Sequence, residues 1–189
     1  MIYIGSDEVG WGAVAGPLYV VGVAMPKVWA LQGLRDSKKL SRTAREALFE
    51  PLVEQVRGNW ALAIRTAEQI DRLGAQHCLI DAHTAVLQQL LARTTGAYTM
   101  IVDGSLRLPE LPQAASIPKA DDHFPIVSAA SVIAKVLRDD LMRELAATYP
   151  WYGFETNAGY GSTHHLEALK KYGLCPIHRR SYLKNFAPT

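Results

Sequence analysis

The chain has 189 residues, 49% apolar and 20% charged, and its 20 Lys and Arg against 18 Asp and Glu leave a net charge of +2. That length suits one domain with a sizeable core, and the composition is that of an ordinary globular protein. The total charge announces no nucleic-acid partner. From Gly161 onward, however, five basic residues (Lys170, Lys171, Arg179, Arg180 and Lys184) stand against one acid, Glu167, which suits either phosphate contact or a solvated basic face. The two cysteines, Cys78 and Cys175, lack metal-type spacing, which argues for reduced thiols inside a cell and against a disulfide framework. No charged segment precedes an apolar core at the N-terminus, and no apolar run approaches membrane-spanning length. A cytoplasmic protein without a membrane partner is expected.

Residues 2–6 form a short, β-rich apolar run that drives into two adjacent carboxylates, Asp7 and Glu8, and then into a loop punctuated by Gly10, Gly12 and Gly16. The run reads as a strand buried on both faces. Buried carboxylates are costly unless paired or bound to a cation, so either the strand end is open to water or something positive sits there. Leu18 to Met25, closed by Pro26, predicts a second strand that pairs with the first as a hairpin. The glycine-rich loop between them is longer than a tight turn and is a candidate functional loop. Ser41 starts a helix with apolar positions Ala44, Leu48, Leu52 and Val56, and Pro51 predicts a kink or break in it. Residues 59–67 predict a third strand. From about Glu68 to Arg93 a helical pattern runs through Ile70, Leu73, His77, Ile80, Thr84, Leu87 and Leu91, with a break at Gly74. Residues 98–102 predict a fourth strand, which again runs into a carboxylate, Asp103. A proline-rich stretch follows, with a short strand at 115–117. The clearest helix spans Val127 to Thr148, with small residues suited to close packing on a sheet, and Ser162 caps a last helix ending near Tyr172.

Three acidic positions follow these segments: Asp7 with Glu8, Asp103, and Asp121 with Asp122. If strands one and four are neighbours, Asp7 and Asp103 meet. A third and fourth carboxylate would complete an all-oxygen site, which prefers Mg²⁺ or Mn²⁺ to zinc, and a pair of such ions points to phosphoryl chemistry. A single acid at a strand end is usually a turn former or helix cap; it is two such acids with the glycine loop that raise the metal reading. On a regular strand Asp7 and Glu8 point to opposite faces, so both serve one site only where the strand ends or bulges. Asp139 and Asp140 read as surface charges or ion-pair partners, and His77 and His83 as core or boundary residues. His164, His165 and His178 are candidates for phosphate contact.

The ordered motifs resemble ribonuclease HII. They are 7–17 (Asp-Glu-Val-Gly-Trp-Gly-Ala-Val-Ala-Gly-Pro), 36–40 (Asp-Ser-Lys-Lys-Leu), 102–104 (Val-Asp-Gly), 119–139, 152–154, 159–161 and 176–181. The resemblance spans essentially the whole chain. It implies one ribonuclease H-like α/β domain over 1–189, with a five-stranded mixed sheet of order 3-2-1-4-5 flanked by helices. Residues 149–189 would be a C-terminal substrate-contacting extension. It implies an endonuclease that cuts the RNA strand of RNA–DNA hybrids, and cuts 5′ to single ribonucleotides in duplex DNA to leave 3′-hydroxyl and 5′-phosphate ends. The expected partner is such a hybrid or ribonucleotide-containing duplex, the protein is expected to be a monomer, and the cofactors are two Mg²⁺ or Mn²⁺ ions. Carried over by position, the metal ligands and catalytic residues are Asp7, Glu8, Asp103 and Asp121. Substrate contacts are Gly10, Trp11, Gly12, Lys38, Lys39, Tyr160, Arg179 and Arg180. Tryptophan at position 11 replaces the usual arginine, and Asn157-Ala158 stands where a lysine is common. Both changes remove positive charge from the substrate face, which predicts weaker or more salt-sensitive binding with the chemistry intact. Rival readings are relaxed junction specificity, a silent hybrid-binding module, or a generic metal phosphatase or exonuclease.

Overall fold

The computed structural model describes residues 1–26 and 41–184. Within them five strands, β1 (Ile2–Val9), β2 (Leu18–Pro26), β3 (Trp60–Arg65), β4 (Tyr98–Asp103) and β5 (Ala115–Ile117), form one sheet in the order β3-β2-β1-β4-β5. β1 pairs antiparallel with β2 and parallel with β4; β2–β3 is antiparallel and β4–β5 parallel. The expected sheet order and mixed character are both present. β1 is longer than expected. Its unbroken register with β2 carries Asp7 opposite Val21, Glu8 opposite Val20 and Val9 opposite Tyr19, so the two acids lie inside the strand and no bulge separates them.

Helices cover both faces. α2 (Ala67–Leu73) and α3 (Ala75–Leu91) lie on one side, while α1 (Arg42–Gln55) and α5 (Pro125–Thr148) lie on the other. The period of two along β1 sends Ile4, Ser6 and Glu8 toward α3, and Gly5, Asp7 and Val9 toward α5. On the α3 side Ile4, Val20, Met100 and Val102 pack with Leu79, Val86 and Leu90; on the α5 side Val21, Val23 and Ile101 pack with Val127, Ala130 and Ile133. Each fully buried aliphatic side chain of this kind contributes about 1.5–3 kcal/mol. α5 seats closely on β1 because position 5 is glycine. A Cβ there would stand 2.7 Å from Ile126 Cγ2 and 3.0 Å from the Val127 nitrogen.

Of the two breaks considered in the helices, the one at Pro51 is absent and the one at Gly74 is present. α1 runs through Pro51 without a break. Pro51 and Ala47 are both exposed, so water can satisfy the carbonyl that proline leaves without a donor, while Leu52 and Val56 anchor the helix in the core. The long helical pattern does break at Gly74 (φ 87°), after α2 is started by a Thr66/Gln69 capping box. That break shifts the buried stripe of α3 to Cys78, Leu79, Ala82, His83, Val86, Leu87 and Leu90, leaving Leu73 and His77 exposed.

The C-terminal part forms a smaller core of its own. The short α6 (Phe154–Asn157), α7 (Thr163–Tyr172, capped by Ser162) and a 3-10 turn at Arg180–Tyr182 surround Tyr152, Phe154, Leu169 and Leu183. Within it His165 and His178 are buried with their Nε2 atoms 3.0 Å apart. The Tyr160 carbonyl lies 2.8 Å from His165 Nδ1, and the Cys175 amide donates to His178 Nδ1 at 2.9 Å. These partners assign the proton to Nδ1 of His165 and Nε2 of His178. Both rings are structural and neither is available to phosphate; His164 is exposed.

Candidate metal centre and the loop beside it

The parallel pairing of β1 with β4 runs to Ser6 opposite Val102. The next residue of each strand is therefore Asp7 and Asp103, side by side at the carboxyl end of the sheet. β5 pairs Ile117 with Asp103 and leads into α4 (Ala120–His123), which carries Asp121. The Ala120 amide donates to Asp103 Oδ1 at 2.6 Å, tying the start of α4 to the end of β4. One carboxylate oxygen from each of Asp7, Asp103 and Asp121 lies within 4.8 Å of the others. Asp7 and Asp121 are buried, at 5% and 2% exposure.

Three carboxylates at that spacing repel one another. Burial, the neighbouring Glu8 charge and Asp103 push the Asp7 pKa up to about 8, against a hydrogen bond from Ser131 and the Glu8 amide that favour its charged form. Without a cation Asp7 is thus held mostly protonated at neutral pH. An all-oxygen donor set of this charge fits a hard divalent ion such as Mg²⁺ or Mn²⁺, which would displace that proton.

Glu8 stands apart from the three. It faces the α3 side, where its Oε2 lies 3.2 Å from His83 Nε2, and His83 Nδ1 in turn lies 2.9 Å from Ser6 Oγ. His83 is fully buried. With Glu8 ionised, Nε2 donates to it and the Ser6 hydroxyl donates to Nδ1. From its helical position alone His83 reads as a core or boundary residue. Its link to Glu8 needed the rotational phase of α3 and the strand register together.

Residues 10–13 form a turn in which the Ala13 amide donates to the Gly10 carbonyl at 3.3 Å. Gly10 has φ 85°, and a Cβ there would meet Arg138 Nε at 2.2 Å, so no side chain fits. Two arginines support the loop from beneath. Arg138 donates to the carbonyls of Pro17, Ala15 and Ala158, and Arg179 to those of Gly16 and Trp11. Both are fully buried, and burial lowers both pKa values, that of Arg138 to about 10. Arg179 was expected at the nucleic-acid backbone; it lies inside instead, because five loop and turn carbonyls concentrate where the C-terminal segment crosses the hairpin and two guanidinium forks satisfy them. Arg180 is exposed, and its amide donates to Asp71. Lys38 and Lys39 lie outside the described residues.

Gly12 is exposed and a Cβ there would meet nothing within 4 Å. The Trp11 side chain is half-buried and packs against the α3-side core. The Tyr160 ring is 36% exposed, its hydroxyl accepts from the Gly10 amide at 3.2 Å, and Arg138 and Lys135 lie 5.6 and 5.9 Å from its centroid. Asn157 and Ala158 hold this loop from behind. Asn157 donates to the Tyr152 carbonyl and accepts from Gly159, and Ala158 adopts φ 48°. A cleft beside Tyr160 is lined by Arg42, Arg45, Lys135 and Arg143. Lys135 pairs with Asp139, and Arg143 with Asp140 and Glu46, as expected for the helix acids.

The ribonuclease HII family profile matches residues 4–185. A ribonuclease HII from Desulforamulus reducens is 40% identical over 179 residues, covering 94% of this chain and 88% of the relative. The crystal structure of ribonuclease H2 from Pyrococcus horikoshii superposes with a TM-score of 0.73 at 28% identity, covering 96% of this chain and 93% of that one. The ribonuclease HII in the PCNA complex from Archaeoglobus fulgidus does so with a TM-score of 0.75 at 27% identity, over 95% and 94% of the two chains. No helix among the described residues is long and apolar enough to cross a membrane. Sequence, fold and acidic site agree that the chain belongs to the ribonuclease HII family and is a metal-dependent ribonuclease H acting on RNA–DNA hybrids.

Proposed function

We propose that this protein is an endonuclease that cuts hybrids and also cuts 5′ to single ribonucleotides embedded in duplex DNA, leaving 3′-hydroxyl and 5′-phosphate ends. The observation that carries the reading is the convergence of Asp7, Asp103 and Asp121 at a sheet end, next to a loop whose exposed backbone is open to a ligand. Two divalent ions, when bound, supply an activated water and charge neutralisation at the scissile phosphate. Asp7, Asp103 and Asp121 would hold them, with Glu8 approaching from the other face of β1 under the control of His83. Asp103 and α4 fix the spacing of the acids through the Ala120 amide. Tyr160 offers a flat, half-open ring for a sugar, and the Gly10–Gly12 backbone offers polar groups for a 2′-hydroxyl. Trp11 supplies no charge there, and its packing makes it a support for the loop.

Cleavage mapping on three substrates tests this: duplex DNA with one ribonucleotide, a continuous hybrid, and all-DNA duplex, each with Mg²⁺ or Mn²⁺ and with Asp103→Asn as control. The expected result is a single cut 5′ to the ribonucleotide, lost in Asp103→Asn. Efficient cutting of the continuous hybrid with none at the single ribonucleotide overturns the junction reading. No metal-dependent cutting by the wild type returns the binding-module alternative.

A further inference from the structure

The sheet-end acids explain where chemistry occurs, but not how a loop without its usual charged side chain tells ribose from deoxyribose. The answer lies behind the loop. The Trp11 carbonyl accepts two hydrogen bonds at once, from Arg179 Nη1 at 2.9 Å and from the Tyr182 hydroxyl at 3.0 Å. Arg179 is fully buried and its guanidinium lies 5.3 Å from the centre of the Tyr182 ring. The two donors are therefore fixed relative to each other before anything binds. Arg179 is itself anchored at its backbone, its amide donating to the Val14 carbonyl at 2.8 Å. Tyr182 is braced in turn by the turn it sits on, where Asp71 accepts from the Arg180 and Ser181 amides and the Ser181 hydroxyl.

A trans peptide is planar, and its C=O and N–H point in opposite directions. The peptide joining Trp11 to Gly12 is trans, like every other described. Its carbonyl is held inward against a buried guanidinium, so the Gly12 N–H is held outward. Gly12 is exposed, has open space around its Cα, and its amide has no hydrogen-bond partner within the described residues. We infer that Arg179 and Tyr182 are positioning residues for 2′-hydroxyl recognition, clamping the Trp11 carbonyl so that the Gly12 amide is presented to the substrate in one fixed orientation. Selectivity for ribose then comes from a backbone donor set from inside the protein, and does not depend on the side chain at position 11. The positive charge of Arg179 acts on the same peptide, because hydrogen-bonding its carbonyl to a cation makes the opposing N–H a stronger donor. This inference rests on the ribonucleotide-in-duplex reading above.

The test is equilibrium binding by fluorescence anisotropy, with Ca²⁺ in place of Mg²⁺, to two probes identical except for one 2′-hydroxyl: a duplex with a single ribonucleotide and the all-DNA duplex. Wild type, Tyr182→Phe, Arg179→Lys and Arg179→Gln are compared, with a thermal melt of each to confirm folding. Tyr182→Phe keeps the ring and removes one donor to the Trp11 carbonyl. The expected result is a preference for the ribonucleotide probe that falls about three- to tenfold in Tyr182→Phe. It falls further in Arg179→Gln and is partly restored in Arg179→Lys, while affinity for the all-DNA probe stays within about twofold. The inference is overturned if the preference survives in Tyr182→Phe and Arg179→Gln, or if both affinities fall together, which marks a purely structural role. A wild type with no preference at all overturns the functional reading as well, and so separates the two failures. Gly12 amide resonances give an independent readout. Its ¹H–¹⁵N peak shifts on adding the ribonucleotide probe but not the all-DNA probe, and this difference disappears in Tyr182→Phe.

Discussion

Replacing Asp7 by asparagine removes the group most perturbed by the site. Burial, the Glu8 charge and the Asp103 charge raise its pKa from an ordinary 3.8 to about 8. Between those two values the unfolded chain has released the proton and the folded chain still holds it. The folded state therefore binds more protons than the unfolded state, and stability falls as pH rises through this window. A shift of that size corresponds to an upper bound of about 5 kcal/mol by pH 8, trimmed by water entry and relaxation, but large beside a total stability of about 5–15 kcal/mol. Asparagine carries no such proton. Urea denaturation in EDTA from pH 4.5 to 8.5 should show Asp7→Asn gaining on the wild type steadily with pH, and the wild-type/variant difference isolates Asp7 from every other titrating group. Adding Mg²⁺ at pH 8 should then stabilise the wild type and leave the variant behind. A stability difference that is flat with pH in EDTA refutes the reasoning, because the site would then not be storing the repulsion that a cation relieves.

Four further outcomes are expected. His83→Ala leaves the Ser6 hydroxyl and the Glu8 carboxylate without their shared partner, costing about 1–3 kcal/mol of stability and about ten- to a hundredfold in Mg²⁺ affinity by calorimetry; unchanged affinity rules out a role for His83 behind the metal. Gly5→Ala drives a methyl into Ile126 and the Val127 backbone and should cost about 1–3 kcal/mol in denaturant melts. Burial and the His165 charge push the His178 pKa down to about 4. Its unfolded state protonates first as pH falls below about 6.5, so stability present above that value drains toward pH 4 by up to about 3 kcal/mol; His178→Gln should flatten this acid limb in pH-resolved melts. Trp11→Arg should lower KM at constant kcat and steepen its salt dependence, because an added phosphate contact releases a further counterion, and a variant with unchanged KM and unchanged junction preference removes any role for the missing charge.

The sheet and two of the three converging acids were legible because each lies where an apolar run meets a charge, a pattern that survives without knowledge of packing. Asp7 and Asp103 needed only strand adjacency to meet. Glu8 was harder, since its separation from Asp7 follows from an unbulged strand, which the glycines after it left undecided. His83 was hidden by the break at Gly74, which reset the helical phase and put Leu73 and His77 outside. Arg138 and Arg179 were hidden for a different reason. Their partners are backbone carbonyls, which leave no residue signature, so a buried guanidinium reads from sequence like any surface charge. Their burial became visible only once the C-terminal segment was seen crossing the hairpin.

That crossing joins residues 168 and 163 positions apart, Trp11 and Gly16 to Arg179. A growing polypeptide emerges N-terminus first, so the acids of β1, β4 and α4 are all translated before the residue that sets the loop. Until Arg179 and Tyr182 are translated, the Trp11 carbonyl lacks both of its donors. On the clamp inferred above, substrate selectivity is completed last, when Arg179 and Tyr182 clear the ribosome.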